Sequence, residues 1–129
     1  MSRVRQKGTE NELIVRRVLH SIGGRFRVNR RALPGSPDIS SKRRRKAIFV
    51  NGCFWHAHRD CPKASLPKSN AEFWRHKLAA NIERDARKIA ELRRLRFDVI
   101  VVWECELSRP AKLRKRLSVF WFRGVGKKP

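Results

Sequence analysis

The 129-residue chain has 33 Lys and Arg against 11 Asp and Glu, which gives a formal net charge of +22. Its 40% hydrophobic content, with four Trp and seven Phe, excludes a disordered basic tail and predicts one folded domain over residues 1–129. No apolar stretch is long enough to span a membrane or to serve as an export signal, so we expect a cytoplasmic protein with no membrane partner. The charge favours a polyanionic partner, as in a DNA enzyme, a ribosome-associated protein or a merely basic protein.

The first predicted element is an N-terminal helix. Thr9 and Glu12 have the spacing of a capping box, and the pair Gly23 and Gly24 ends the helical pattern. Between them, apolar residues recur at the intervals of one helix face: Leu13, Ile14, Val18, Leu19 and Ile22.

Three short strands are predicted next. A half-exposed strand at 26–28 precedes a Pro- and Gly-containing loop at 32–37, and a second strand begins at Asp38. The basic run 42–46 is expected to be a solvated turn, and the apolar run 47–50 is typical of a buried strand. These segments predict a hairpin.

The C-terminal half predicts a long loop at 51–70, a long helix, a strand and a final helix. Ser69 and Glu72 form a second capping-box pattern, and the helix should run to about Leu95. Its predicted buried face comprises Trp74, Leu78, Ile82, Ala86 and Ile89. The β-branched run 98–103 is typical of a central strand covered on both faces, which makes the long helix a βαβ crossover.

Pro110 opens the last predicted helix, which has apolar residues at helical spacing, and 124–129 is expected to be a frayed basic tail. Trp103 is expected in the core, while Trp121 is left unassigned. Together the elements predict an α/β fold: one domain in which helices flank a mixed β-sheet.

The densest chemical signal is a group of cysteines and histidines. Two Cys and two His fall between Cys53 and Cys61, and Cys105 follows the predicted central strand. Thiolates and imidazole are the ligands of a closed tetrahedral zinc site, so three Cys and one His predict structural Zn²⁺, with either His56 or His58 as the fourth ligand. The alternative is that the cysteines are small buried apolar residues.

A second candidate site begins at Asp38. A metal-dependent nuclease needs a carboxylate that binds Mg²⁺ and a base that activates water. A Pro-Asp pair alone more often reflects turn chemistry, so Asp38 gains weight only through the residues that accompany it.

Five segments accompany it in a fixed order, and together they resemble the very-short-patch repair DNA mismatch endonucleases. They are Ala32 to Asp38, Ile48 to His56, Pro67 to Trp74, Asn81 to Asp85 and Val102 to Leu107. Ser2, Arg3, Lys7, Thr9 and Glu12 extend the resemblance to the N-terminus. The resemblance implies a restriction-endonuclease-like fold with a zinc-held loop. It also implies a bacterial, Mg²⁺-dependent endonuclease that nicks one DNA strand beside the thymine of a T:G mismatch.

The resemblance also implies roles for individual residues. Asp38 and the backbone carbonyl of Val50 would bind Mg²⁺, His56 would activate water, and Glu12 would assist near the metal. The zinc ligands would be Cys53, His58, Cys61 and Cys105. An aromatic wedge of Phe54, Trp55 and Trp74 would open the base stack, a costly step that is least costly at a mispair.

One departure from the family concerns Asn51, where some members carry a histidine that assists the leaving group. An amide can donate a hydrogen bond but supplies no proton, so the cleavage rate is expected to differ. This motivates two alternatives: a catalytically weakened zinc-stabilised DNA-binding protein, or a restriction-like nuclease without mismatch selectivity. Basic residues, including Arg43 and Arg44, are expected to contact phosphates. The expected partners are duplex DNA and other mismatch-repair proteins, and the expected state is a monomer.

Overall fold

The computed structural model describes residues 10–123, which contain three α-helices and four strands. The helices are α1 (Glu10–Ser21), α2 (Ala71–Arg94) and α3 (Pro110–Phe122). The strands are β1 (Arg27–Val28), β2 (Ile39–Ser41), β3 (Lys46–Asn51) and β4 (Asp98–Trp103), and short 3₁₀ turns occupy Pro62–Ala64 and Glu104–Ser108. The predicted matches at Ser2, Arg3, Lys7 and Thr9 and the predicted tail 124–129 lie outside the described residues.

The strands form one mixed sheet in the order β1-β2-β3-β4. The first three strands pair antiparallel as a meander, whereas β3 and β4 pair parallel with Ile48 opposite Ile100. The parallel pair requires a crossover, and α2 supplies it on one face of the sheet. The predicted α/β fold with a mixed sheet and flanking helices is confirmed.

The prediction that 98–103 forms the central strand is wrong within the described residues. There β4 is an edge strand, whereas β3 lies between β2 and β4 and is the more buried of the two. A continuous apolar run reports that both faces of a strand are covered. It carries no information about which strands pair on either side, and that pairing decides whether a strand is central.

The core has one cluster on each face of the sheet. Because side chains alternate along a strand, Ile48 and Val102 pack with α1 and α3, while Phe49 and Val99 pack against α2. Trp121, unassigned from the sequence, is fully buried in the first cluster. Trp103, expected in the core, is only half-buried and stacks on His58 with ring centroids 4.0 Å apart.

Lys46 corrects the prediction of a solvated turn over 42–46. It is the first residue of β3, is fully buried, and lies opposite Asp98 in the β3–β4 ladder. Its Nζ lies 2.8 Å from Asp98 Oδ2 and 4.9 Å from the centroid of the Phe120 ring. A buried ammonium is tolerated where a carboxylate and an aromatic face replace its water, and neither partner is adjacent in sequence.

The N-terminus of α2 differs from its prediction. The N-cap residue is Asn70, whose left-handed backbone (φ 58°) forms no side-chain cap, so the predicted Ser69–Glu72 capping box is absent. Glu72 instead pairs with Arg75 and His76.

The packed face of α2 is also rotated relative to the prediction. Ile82 is 49% exposed and Ala86 is exposed, whereas Asn81, Asp85 and Lys88 lie on the inner side. Leu78 is buried as predicted, and Leu92 continues the apolar contact with the sheet. The middle of the helix therefore packs polar residues against the loop that follows β3.

Within residues 10–123 no helix is both long and apolar enough to cross a membrane.

Candidate active site and metal centre

The carboxyl end of β3 positions the first group of site residues. Asp38 immediately precedes β2, is only 5% exposed, and accepts a hydrogen bond from the Val50 N–H at 2.7 Å through Oδ2. Its backbone carbonyl accepts a bond from the Asn29 N–H at 3.1 Å. The carboxylate is thus held at the edge where β3 projects beyond β2.

The strand register also determines the direction of the Val50 carbonyl. The N–H and C=O of one strand residue point to the same edge, so this carbonyl points to the side on which Asp38 lies. The Ile39–Ile48 register, continued by two residues, places Pro37 opposite Val50. Proline has no N–H to donate, so the ladder ends at this carbonyl.

Glu12 and Asn51 are the other two residues with predicted catalytic roles. Glu12 is buried on α1, which packs on β3, and it forms an ion pair with Arg16 at 3.3 Å. Asn51 is the buried last residue of β3, opposite Trp103 of β4. The resemblance implies that Glu12 assists near the metal and that Asn51 donates to the leaving group, and both side chains are buried.

His56 lies in the loop after β3 and pairs with α2. Its Nδ1 is 2.5 Å from Asp85 Oδ2, and its backbone N–H donates to the Gly52 carbonyl at 3.2 Å. Because Nδ1 faces the carboxylate, Nε2 is the ring nitrogen that can exchange a proton with another group. Asp85 has no role predicted from the sequence, although it lies in a matched segment.

The four predicted metal ligands lie together beside this loop. The ligand atoms of Cys53, His58, Cys61 and Cys105 all lie within 4.8 Å of one another, and His58 Nδ1 is 3.5 Å from both the Cys53 and Cys105 sulfurs. Tetrahedral zinc with typical Zn–S and Zn–N bonds separates sulfur from nitrogen by about 3.5 Å, so these two distances fit this ion. Between the two histidines that the sequence left open, His58 is the one in the cluster.

The loop around Cys53 is also fixed by a contact that the sequence does not predict. The Cys53 N–H donates to Glu104 Oε1 at 3.1 Å, which ties the loop to the residue before Cys105. Burial, the largest effect, raises the pKa of the Cys53 thiol to about 12. A coordinated cation would stabilise the thiolate and so lower this pKa.

The predicted wedge residues form an aromatic cluster at the start of α2. The Phe54, Trp55 and Trp74 rings are half-buried and meet edge to face, with centroids 5.2 to 5.7 Å apart. Phe73, 59% exposed, extends the cluster into solvent. Asn81, on the inner side of α2, donates to the Trp55 carbonyl at 2.9 Å and fixes the loop against the helix.

Arg43 and Arg44 lie at the other end of the sheet, in the β2–β3 turn. Six strand residues at about 3.3 Å each separate this turn from the end of β3. Arg44 contacts the end of α3, where its guanidinium lies 3.5 Å from the Trp121 carbonyl and 4.8 Å from the centroid of the Phe122 ring. The structure therefore separates these two residues from the aromatic cluster and from Asp38.

Several known proteins are similar in sequence to this chain. The family model described as DNA mismatch endonuclease Vsr matches residues 1–63. The chain is 50% identical over 117 residues to the type II nicking enzyme V.XorIIP of Xanthomonas oryzae pv. oryzae, which covers 91% of this chain and 85% of that enzyme. It is 42% identical over 118 residues to the type II nicking enzyme V.NmeAIP of Neisseria meningitidis serogroup A, with 92% and 84% covered.

A third relative is the DNA mismatch endonuclease Vsr of Escherichia coli strain K12. The identity is 39% over 113 residues, which covers 85% of this chain and 72% of that protein. These matches extend well beyond the N-terminal part covered by the family model, into the segment that supplies Asp85 and Cys105. The chain therefore belongs to the Vsr family of DNA mismatch endonucleases and is a DNA endonuclease.

Proposed function

We propose that this endonuclease hydrolyses one phosphodiester bond beside the thymine of a T:G mismatch, with Mg²⁺ as cofactor. The observation that carries the proposal concerns two groups at the end of β3. The buried Asp38 carboxylate is bonded to Val50 near the end of this strand, and the His56–Asp85 pair is formed by the loop that follows it. A carboxylate for a metal and an imidazole for water are the two components that metal-assisted hydrolysis of a phosphodiester needs.

Asp38 and the Val50 carbonyl would hold Mg²⁺. Both are hard oxygen donors, and they lie on the same side of β3, where Pro37 ends the ladder. When bound there, the ion would neutralise charge that develops on the scissile phosphate. Glu12, buried on the neighbouring helix, would orient water near these oxygens.

His56 would take the proton of the attacking water on Nε2. Asp85 holds the opposite ring nitrogen, which fixes the ring direction and stabilises the imidazolium formed in the reaction. Asn51 would donate a hydrogen bond toward the leaving oxygen without supplying its proton. The proton would then come from solvent, and we expect cleavage to be slower than with a histidine at this position.

The Cys53, His58, Cys61 and Cys105 cluster would hold structural Zn²⁺. Four protein ligands leave no open position for substrate, which separates this centre from the chemistry. It would join the loop after β3 to the turn after β4, and so hold His56 and the aromatic cluster in place.

Phe54, Trp55 and Trp74 would enter the duplex as a wedge. Their shared edge-to-face packing gives a rigid apolar surface next to His56, and unstacking costs least at a mispaired step. Arg43 and Arg44 would add phosphate contacts distant from the cut.

We also propose a single domain over 1–129 that acts as a monomer in the bacterial cytosol or nucleoid, together with other mismatch-repair proteins.

A nicking assay tests the proposal. One duplex carries a single T:G pair and a matched duplex is fully paired, each end-labelled on either strand and incubated with Mg²⁺ or a chelator. We expect one Mg²⁺-dependent cut on the thymine strand of the mismatched duplex alone. Equal cutting of both duplexes would instead support a restriction-like nuclease, and tight mismatch binding without a product would support a weakened DNA-binding protein.

A further inference from the structure

Lys88 on α2 lies next to Asp85, to the Phe49 ring of the core and to the loop that precedes Asp38. Its Nζ lies 3.8 Å from Asp85 Oδ1 and 5.9 Å from the centroid of the Phe49 ring of β3. Its side chain is 31% exposed, so most of the stem is covered. Every other Lys and Arg of α2 is exposed, whereas Lys88 is partly buried.

The stem of Lys88 supports the loop that carries Asp38. Gly35, three residues before Asp38, has φ +74°, and a Cβ built on it would lie 2.7 Å from the Cβ and Cγ of Lys88. The loop backbone therefore lies directly on the Lys88 methylenes, at a distance that only glycine allows. The position of the loop relative to α2 depends on this contact.

The stem of Lys88 contacts the loop, whereas its charge acts on the carboxylate of Asp85. Oδ2 of Asp85 faces His56 and Oδ1 faces Lys88, so the two oxygens have different partners. A cation on the second oxygen resists rotation of the carboxylate away from the imidazole. In the covered site this attraction is stronger than it would be in water.

We propose that Lys88 is a positioning residue that aligns the Asp38 loop with the His56–Asp85 pair. The inference rests on the proposed function, because it assumes that His56 acts in cleavage. Lys88 would act through Asp85 and through Gly35 rather than on the substrate. Its stem sets the distance between loop and helix, and its charge sets the direction of the imidazole.

Four variants separate these contributions in single-turnover nicking of the T:G duplex. Lys88→Met keeps the stem and removes the charge, Lys88→Arg keeps the charge, and Lys88→Ala removes both. Arg87→Met, at an exposed neighbouring position, is the matched control for the loss of one positive charge from the DNA-binding protein.

We expect the maximal rate of Lys88→Met to fall about tenfold, as is typical when a partner that orients a functional group is removed. Its half-saturating DNA concentration should match that of Arg87→Met, whose maximal rate stays at the wild-type value. Lys88→Arg should recover most of the rate, and Lys88→Ala should lose more than Lys88→Met. Thermal unfolding monitors the fold of every variant.

A double-mutant cycle tests whether Lys88 acts through Asp85. In an Asp85→Asn background, Lys88→Met should cost less than about twofold, because the charged partner is already absent. A wild-type rate for Lys88→Met, or an equal loss in both backgrounds, would overturn the inference while leaving the proposed function intact. An active His56→Ala would instead overturn the proposed function itself.

Discussion

One short stretch of chain supplies side chains to two different groups, the Cys and His cluster and the His56–Asp85 pair. Cys53 and His58 turn toward the sulfur-rich cluster, whereas His56, two residues before His58, turns toward Asp85 on α2. The residue between the histidines, Ala57, has a left-handed backbone (φ 49°), which breaks the local repeat and separates the two side chains. Local backbone geometry, rather than residue type, decides which histidine joins which centre.

The two centres also differ in donor set and in closure. Three thiols and an imidazole lie close together, as a structural zinc site requires, while the centre proposed at β3 offers a carboxylate and a carbonyl oxygen. The comparison predicts that damage to the first centre removes the fold, whereas damage to the second removes only the chemistry.

Cys105→Ser should give the largest effect. Loss of one ligand would release the metal and the link between the loop after β3 and the turn after β4. Because binding of a structural zinc contributes on the order of 10 kcal/mol to folding, cooperative unfolding and nicking should both disappear. Elemental analysis and thermal unfolding check this, with the exposed His76→Ala as control. Full zinc content with a wild-type transition would remove the structural half of the comparison.

Asp38→Asn should separate the two centres most clearly. The shape of the side chain is kept while the charge for Mg²⁺ is lost, so nicking should fall about 10³-fold through several kcal/mol of lost charge stabilisation. Zinc content should stay at one equivalent per chain. Single-turnover nicking and metal analysis are made on the same sample, with the exposed Glu91→Gln as control. Loss of zinc from Asp38→Asn would show that the centres are not independent.

His56→Ala and Asp85→Asn rank the members of the proposed catalytic centre. Removing a general base typically costs 10²- to 10⁴-fold, and removing the group that orients it about 10- to 100-fold. We therefore expect the alanine variant to lose more rate than the asparagine variant. Both should bind the T:G duplex with wild-type affinity, measured without Mg²⁺. The reverse order of rates would contradict the assignment of His56 as base.

Trp55→Ala should have the smallest effect of the four and should alter selectivity. Loss of one stacking aromatic removes about 1–3 kcal/mol, so we expect the preference for the mismatched over the paired duplex to fall roughly tenfold or more. Competition binding with both duplexes measures it. The exposed Val119→Ala on α3 should keep the wild-type ratio. An unchanged ratio in Trp55→Ala would assign the aromatic cluster to packing alone.

The sequence predicted the elements more completely than their contacts. Helical and alternating patterns located the helices and the β2–β3 hairpin, because those patterns are local. They failed at Lys46, whose burial depends on Asp98 and Phe120, and at β4, whose edge position depends on pairing with β3. Tertiary contacts decide both features.

The candidate site shows the same limit. Residue types indicated a Cys and His metal centre, but spacing alone left His56 and His58 open as the fourth ligand. The sequence predicted no role for Asp85, Asn81 or Lys88. The predicted buried face of α2 included Ile82, and that orientation turns these three residues away from the site. Their regular spacing on one side of the helix is the signal that was available, and it becomes informative only once that side is known to face the loop after β3.

The most direct test of two separate centres is single-turnover nicking by protein of measured zinc content, with Mg²⁺ added or withheld. We predict one equivalent of zinc per chain in both conditions and cleavage of the T:G duplex only when Mg²⁺ is present. Cleavage by the zinc-loaded protein without Mg²⁺ would contradict this account, because the sulfur-rich centre would then support the chemistry assigned to Asp38.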